Sequence, residues 1–268
     1  MIDLHCHILP GVDDGAPDLE TALDMARMAA DDGITVIACT PHFNPGVFDN
    51  DGPAILTAID ALQGHLNEAG IPISLVCGGD IHTAPGLVAK LRAKQVLSLN
   101  HTKYALIEPP HTILPPRIEH VFFDMLSAGF QPILTHPERM RWIEAKYDLI
   151  TEMFHRGVWM QLTAGAIVGE FGREAKRWSE RMIGDGMAHI IASDAHHSEI
   201  RRPLLSAACK RAEALVGGAE ALNMVLHRPA LILRDGAPAE IPAPDAAEPV
   251  DEPDETFWSR LTAAFRGR

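Results

Sequence analysis

The sequence predicts an α/β chain in which parallel strands alternate with helices and deliver their ends to one mouth. Three observations predict it. Seven short, β-branched apolar runs recur, ending near residues 4, 40, 79, 107, 135, 163 and 193. Successive ends lie about 28 to 39 residues apart, a comfortable length for a strand-helix unit in a parallel sheet. Most runs stop at a side chain that can hold a metal or a phosphate.

The opening run, Ile2-Asp3-Leu4, leads to His5 and His7. On an extended strand, positions i and i+2 share a face, so both imidazoles come within reach of one ion. Gly15 then lets the backbone turn sharply, and Asp13 or Asp14 can return towards the same point. Residues 17–32 have helical periodicity, with Leu19, Leu23, Ala26 and Ala30 on one stripe, Pro17 as a start and Gly33 as a stop. The run 34–40 leads to Pro41 and His42, and the run 73–79 to Asp80 and His82. The run 104–107 leads to Glu108, and 131–135 to His136, Glu138 and Arg139. The run 159–163 ends in no obvious ligand, whereas 188–193 leads to Asp194, His196 and His197.

These strands are apolar almost throughout, as parallel strands covered on both faces are. The economical architecture is a barrel-like α/β domain of seven units, somewhat short of the eight in a complete barrel. In such folds the side chains just past the carboxyl ends of the strands gather at one rim. His5, His7, Asp14, His42, Asp80, Glu108, His136, Asp194 and His196 then face one pocket. Core packing does not account for nine potential ligands there, and the expectation is a polynuclear metal site.

Composition bounds the rest. With 268 residues, 47% of them hydrophobic, the chain supplies one sizeable domain, or one domain with an appendage. No apolar stretch is long enough to cross a membrane. The first strand begins almost at once, leaving no room for a signal peptide, so a cytoplasmic location is expected. A formal charge of −13, with no basic stripe, argues against nucleic acid as the main ligand. The four cysteines show no zinc-knuckle pairing and fit a reducing compartment. They also exclude a cysteine phosphatase, which needs an arginine six places after its nucleophile. Val12, Pro45, Thr83 and Leu215 stand there instead. Among the remaining histidines, His65, His120, His155, His189 and His227 read as structural or exposed, while His82, His101, His111 and His197 lie nearer the mouth.

Taken together, Asp3-Leu-His-Cys-His7, Pro41-His42, Thr135-His-Pro-Glu-Arg139 and Ser193-Asp-Ala-His196 resemble the polymerase and histidinol phosphatase (PHP) superfamily. The opening through Val12-Asp-Asp-Gly15, Tyr104-Ala-Leu-Ile-Glu108 and His136-x-Glu-Arg139 looks more like one branch, the manganese-dependent protein-tyrosine phosphatases of bacterial capsule and exopolysaccharide systems. The resemblance spans roughly residues 1–234. It implies a distorted (β/α)7 TIM-like barrel, the PHP fold, with three divalent ions, manganese first, then iron or zinc. On this resemblance His5, His7, Asp80 and Asp194 hold the first ion, Asp80, Glu108 and His136 the second, and Asp14, His42 and His196 the third. Arg139 and Arg202 match arginines that grip the phosphate, whereas Arg201 reads as a surface arginine paired with acids. One departure stands out: the family usually has Glu at position 80. Asp is a methylene shorter, and Gly78 and Gly79 permit the closer backbone approach it needs.

Divalent ions and guanidinium groups around a phosphate ester point to hydrolysis by activated water. A tyrosyl leaving group, of pKa about 10, needs little acid help. His42 or His196 could supply it. The resemblance points to phosphotyrosine on a bacterial tyrosine kinase tail as substrate, in the regulation of polysaccharide synthesis. A small-molecule phosphatase acting on histidinol phosphate shares the ligand set, and a non-catalytic metal scaffold is the alternative of a different class. The expected domain covers residues 1–235. A Pro/acidic linker at 236–255 is too poor in apolar groups to fold. A short amphipathic helix at 256–268 carries Phe257, Trp258, Leu261 and Phe265 on one side, with Arg260, Arg266 and Arg268. It either folds back on its own domain or on a second copy in a homo-oligomer, or docks on a partner or an anionic membrane surface.

Overall fold

Nine strand segments carry the predicted runs in the computed structural model, which describes residues 1–247. They are β1 (Ile2–Cys6), β2 (Val36–Cys39), β3 (His42–Phe43), β4 (Ser74–Cys77), β5 (Asp80–His82), β6 (Tyr104–Glu108), β7 (Gln131–Thr135), β8 (Trp159–Thr163) and β9 (Ile190–Ala192). Every neighbouring pair is parallel, in one sheet of order β1-β2-β4 and another of order β3-β5-β6-β7-β8-β9. The main helices between and after them are α1 (Leu19–Asp31), α2 (Gly52–Glu68), α3 (Leu87–Arg92), α4 (Ile118–Ser127), α5 (Ile143–His155), α6 (Ala164–Val168), α7 (Gly172–Gly184), α8 (Ser206–Val216), α9 (Gly218–Leu222) and α10 (Arg228–Leu233). Among the described residues, no helix is long and apolar enough to cross a membrane.

Two of the seven expected strands are followed by a second short strand. The run at 34–40 holds β2, with β3 just beyond it, and the run at 73–79 holds β4, with β5 just beyond it. Pro41 has no N–H to donate, which interrupts the first ladder. At Gly79 the chains pass so closely that a Cβ would lie 2.5 Å from the Phe43 ring. Both chains therefore leave the first sheet together and pair again in the second, where His42 stands in register with Asp80.

Helix α1 begins where the Asp18 carboxylate accepts from the Thr21 N–H at 2.9 Å. Its buried face is Ala22, Met25, Ala26 and Ala29, rotated from the expected stripe. Leu19, Leu23 and Ala30 are half-buried. The small side chains let the helix settle close to the sheet, leaving the leucines at the rim of the contact.

The curled sheet has an inner and an outer apolar layer. Ile2, Leu4, Ala38, Tyr104, Leu106, Ile133, Trp159 and Ile190 pack together on the inside. Ala105, Ile107, Leu134, Met160, Leu162 and Ile191 join the layer beneath the helices. The alternation explains the site: Tyr104, Leu106 and Glu108 share one face of β6, so the last inward position carries the carboxylate. In β1 the register shifts between Asp3 and Cys6. Leu4 belongs to the inner layer and Cys6 to the outer one.

The first and last strands meet. The Asp194 N–H donates to the His5 carbonyl and the His7 N–H to the Ala195 carbonyl, both at 2.8 Å. Asp3 fastens this seam, its buried carboxylate accepting from the Ser193 N–H at 3.0 Å, the Ser193 hydroxyl and the His5 N–H. Replacing Asp3 with Ala should lower stability by about 2–3 kcal/mol, because those donors lose a charged acceptor inside the protein. A urea midpoint equal to that of the wild type would show that the seam does not depend on it.

The expected linker does not begin at 236. Gly236 accepts from the Tyr104 hydroxyl at 2.8 Å, Ile241 is buried, and the Ala247 N–H donates to Gly184. The buried Arg228 guanidinium donates to the carbonyls of Pro242 at 2.6 Å and Ala243 at 2.7 Å. Backbone carbonyls and the buried side chain of Ile241 hold this segment, so its composition was a poor guide. The remainder of the linker and the expected helix at 256–268 lie outside the described residues.

Candidate metal centre

All nine residues expected at the mouth converge. His5 and His7 are buried, and their Nε2 atoms lie 3.2 Å apart, as the i, i+2 spacing requires. Asp194 Oδ1 stands 3.4 Å from each of these nitrogens. Asp80 Oδ2 stands 3.5 Å from His5 Nε2 and 3.4 Å from His42 Nδ1. Asp14 Oδ1 is 3.4 Å from Nε2 of both His42 and His196. Glu108 reaches in two directions: Oε1 lies 3.7 Å from His136 Nε2 and Oε2 3.4 Å from His42 Nδ1.

The two carboxylates after β1 have separate work. Asp14 faces the imidazoles, whereas Asp13 accepts from His7 Nδ1 at 2.7 Å and from the His42 N–H at 3.0 Å. That fixes the His7 tautomer with Nε2 towards the cluster. Gly15 is obligatory, since a Cβ there would lie 2.1 Å from the His7 carbonyl oxygen. The sequence reading missed a second orienting residue. Gln161, buried in the strand that ends without a ligand, holds His5 Nδ1 through Oε1 at 2.9 Å. A glutamine inside an apolar strand was the available signal. His136 and Asp194 both adopt positive φ, 35° and 50°, backbone strain of the kind that concentrates at functional sites.

The charges explain what the cluster can hold. Burial alone would lower the pKa of His5, but Asp80 and Asp194 outweigh it and raise it to about 9. For His42, too, burial acts downwards, and Asp14 and Glu108 lift it to about 11. Burial would raise Glu108, yet His111, His42 and His82 hold it far below the ordinary carboxylate range. His196 is pushed down to about 4 by burial and by His7. A field that draws protons this strongly onto imidazoles also favours divalent cations. Both Asp80 oxygens, His42 Nδ1, His136 Nδ1 and His196 Nε2 are buried without hydrogen-bond partners, so the donor set fits metal ions. The combinations close enough for one ion are His5-His7-Asp80, His7-Asp14-His42-His196, His42-Asp80-Glu108 and Glu108-His111-His136.

The arginines divide differently from expectation. Arg139 lies on Asp194, its guanidinium 4.2 Å above the Phe171 ring. Arg202 points away, to Glu170 at 3.4 Å. Arg201, expected to be an ordinary surface arginine, does pair with an acid, but that acid is Asp194, at 2.7 Å. Adjacent residues on a turn point in opposite directions, and only one of the two reaches the mouth. The thiols take no part. Cys6, Cys39 and Cys77 are buried, and burial pushes each thiol up, away from the thiolate a nucleophile requires.

The site and the fold have counterparts. The chain is 40% identical over 201 residues to the tyrosine-protein phosphatase YwqE of Bacillus subtilis, covering 75% of this chain and 79% of that one. It is 28% identical over 215 residues to the tyrosine-protein phosphatase CpsB of Streptococcus agalactiae, covering 78% and 88%. A solved structure, from crystals of YwqE from Bacillus subtilis and CpsB from Streptococcus pneumoniae, unique metal-dependent tyrosine phosphatases, superposes with a TM-score of 0.86 at 36% identity. The match covers 94% of this chain and all of the other. Residues 1–234 match the family described as capsular polysaccharide synthesis, CpsB/CapC, and with the shared fold they establish that the chain belongs to that family.

Proposed function

We propose that this protein is a metal-dependent protein-tyrosine phosphatase, and that its substrate is phosphotyrosine on a bacterial tyrosine kinase controlling polysaccharide synthesis. The observation that carries the reading is the cluster of buried, mutually attracting imidazoles and carboxylates in a chain 40% identical to a tyrosine phosphatase. In this reading the two sheets form one distorted (β/α)7 barrel, and three ions, manganese first, sit at its mouth. When bound, such ions polarise a phosphoryl oxygen and make water acidic enough to act as nucleophile at neutral pH. His5, His7, Asp80 and Asp194 hold the first, Asp80, Glu108 and His136 the second, and Asp14, His42 and His196 the third.

Arg139 and Arg201 grip the equatorial phosphoryl oxygens, their planar forks matching phosphate. The Phe171 ring beneath Arg139 keeps that guanidinium oriented. Tyrosine leaves readily, with a pKa of about 10 when free, so His42 and His196 can remain committed to an ion. Asp13 and Gln161 hold His7 and His5 in the tautomers that present Nε2. Four free cysteines suit a cytoplasmic setting.

Phosphate release from a phosphotyrosine peptide and from histidinol phosphate tests the proposal, each with a chelator and after restoring manganese. Chelator-sensitive preference for the peptide is expected. Preference for histidinol phosphate would overturn the substrate, and release from neither by metal-loaded protein would overturn the phosphatase.

A further inference from the structure

We infer that His111 is a donor to the ion held by Glu108 and His136, completing a three-residue site with them. The inference rests on the metallophosphatase reading and adds a ligand from a loop that the strand-end pattern does not contain. His111 Nε2 lies 3.2 Å from Glu108 Oε1, the same oxygen that stands 3.7 Å from His136 Nε2. The rings of His111 and His136 are 4.7 Å apart. One ligand atom from each of Glu108, His111 and His136 lies within 4.8 Å of the others.

Asp80 joins two other combinations, with His5 and His7 and with His42 and Glu108, but none containing His136. Its carboxylate is directed to the far side of Glu108, where Oε2 meets His42 Nδ1. The resemblance gives Asp80 to this ion as well, but here its carboxylate is drawn towards His5 and His42. That leaves Glu108 and His136 as two close donors, whereas catalytic zinc sites, for example, keep three from the protein and one open position. His111 is the residue that brings the count to three. His82 is the other imidazole on Glu108, 3.2 Å from Oε2, yet among the described residues it joins no such triad. The loop holds His111 in place from behind, since its carbonyl accepts from the Arg141 N–H at 2.9 Å, just beyond the turn that carries His136. The His111 side chain remains partly exposed and borders a cleft of about 470 Å³ that Arg139 and Phe171 also line. An ion bound there would therefore stand open to substrate.

The test uses the full chain, stripped with a chelator and titrated with Co²⁺ while bound ions are counted and the visible spectrum is recorded. Wild type, His111→Ala, His111→Gln and His136→Ala are compared, with circular dichroism to check folding. Loss of one Co²⁺, or its binding weakened by more than about tenfold, is expected in both His111 variants, with an altered spectrum like that of His136→Ala. Glutamine keeps a hydrogen-bond donor for Glu108. If it restores wild-type binding and spectrum, His111 merely orients the carboxylate and the inference is overturned. Unchanged binding in His111→Ala overturns it as well, while leaving the metal site standing. A wild type that binds no Co²⁺ would instead bring down the reading on which the inference rests.

Discussion

Exchanging Asp194 for Asn should reduce phosphotyrosine hydrolysis by at least about a hundredfold while leaving the fold intact. The reason is the number of charges that converge on this carboxylate. One oxygen faces both His5 and His7 at 3.4 Å, and the other takes the guanidinium groups of Arg139 and Arg201. Removing one negative charge leaves the arginines without their counter-ion and, in the proposed reading, weakens the hold on the first ion. Burial disfavours the charged form of Asp194, yet His5 and Arg201 keep it well below the usual range, so the native residue is ionised at neutral pH. The measurement is kcat on a phosphotyrosine peptide, with metal content and melting temperature recorded on the same sample. Full activity with one ion fewer would show that the first ion is dispensable. A collapsed melting temperature would make Asp194 structural.

Stability has its own centre of gravity at the opposite end of the chain. Arg228 is wholly buried and pairs with the buried Glu220 at 2.7 Å, while also donating to His189, Pro242 and Ala243 carbonyls. Arg228→Met should cost about 3–5 kcal/mol, because Glu220 then keeps a buried charge without a partner. In a domain of this size that is a fall in Tm on the order of 10 °C. The double variant with Glu220→Leu should recover much of the loss, and failure to do so would point to the carbonyl contacts instead. The same region sets a pH dependence. Burial, assisted by Arg228, pushes His189 down to about 3, below its ordinary 6.5. The unfolded chain therefore binds a proton that the folded one refuses, and this residue's contribution is lost as pH falls below 6.5.

How far the sequence could be read follows from what each feature depends on. Strand periodicity governs which residues share a face, so the pairing of His5 with His7 and the convergence of strand-end ligands were legible. Spacing alone did not choose between Asp13 and Asp14, because both lie just before the turn that Gly15 leaves free, and the resemblance supplied Asp14. Arg201 and Arg202 are neighbours, and only the backbone of their turn decides which reaches Asp194. Gln161 and Arg228 carry no pattern of their own: a polar residue in an apolar strand and an arginine in a helix become meaningful once their partners are in place. The interruption after two strands was half visible, in Pro41 and the Gly78-Gly79 pair, but the shared change of sheet arises from their mutual approach.

The junction between β1 and the chain after β9 has a consequence for the protein's birth. Asp3 and Ser193 are 190 residues apart, so this contact joins the first described strand to the last. Contacts of such sequence separation are slow to form, since the closure entropy falls due before any contact repays it. On the ribosome, His5 and His7 emerge first and must wait for Asp194 and His196. A nascent chain shorter than that holds histidines but not the complete cluster, and enzyme capability arrives in one step, once its last members have been made.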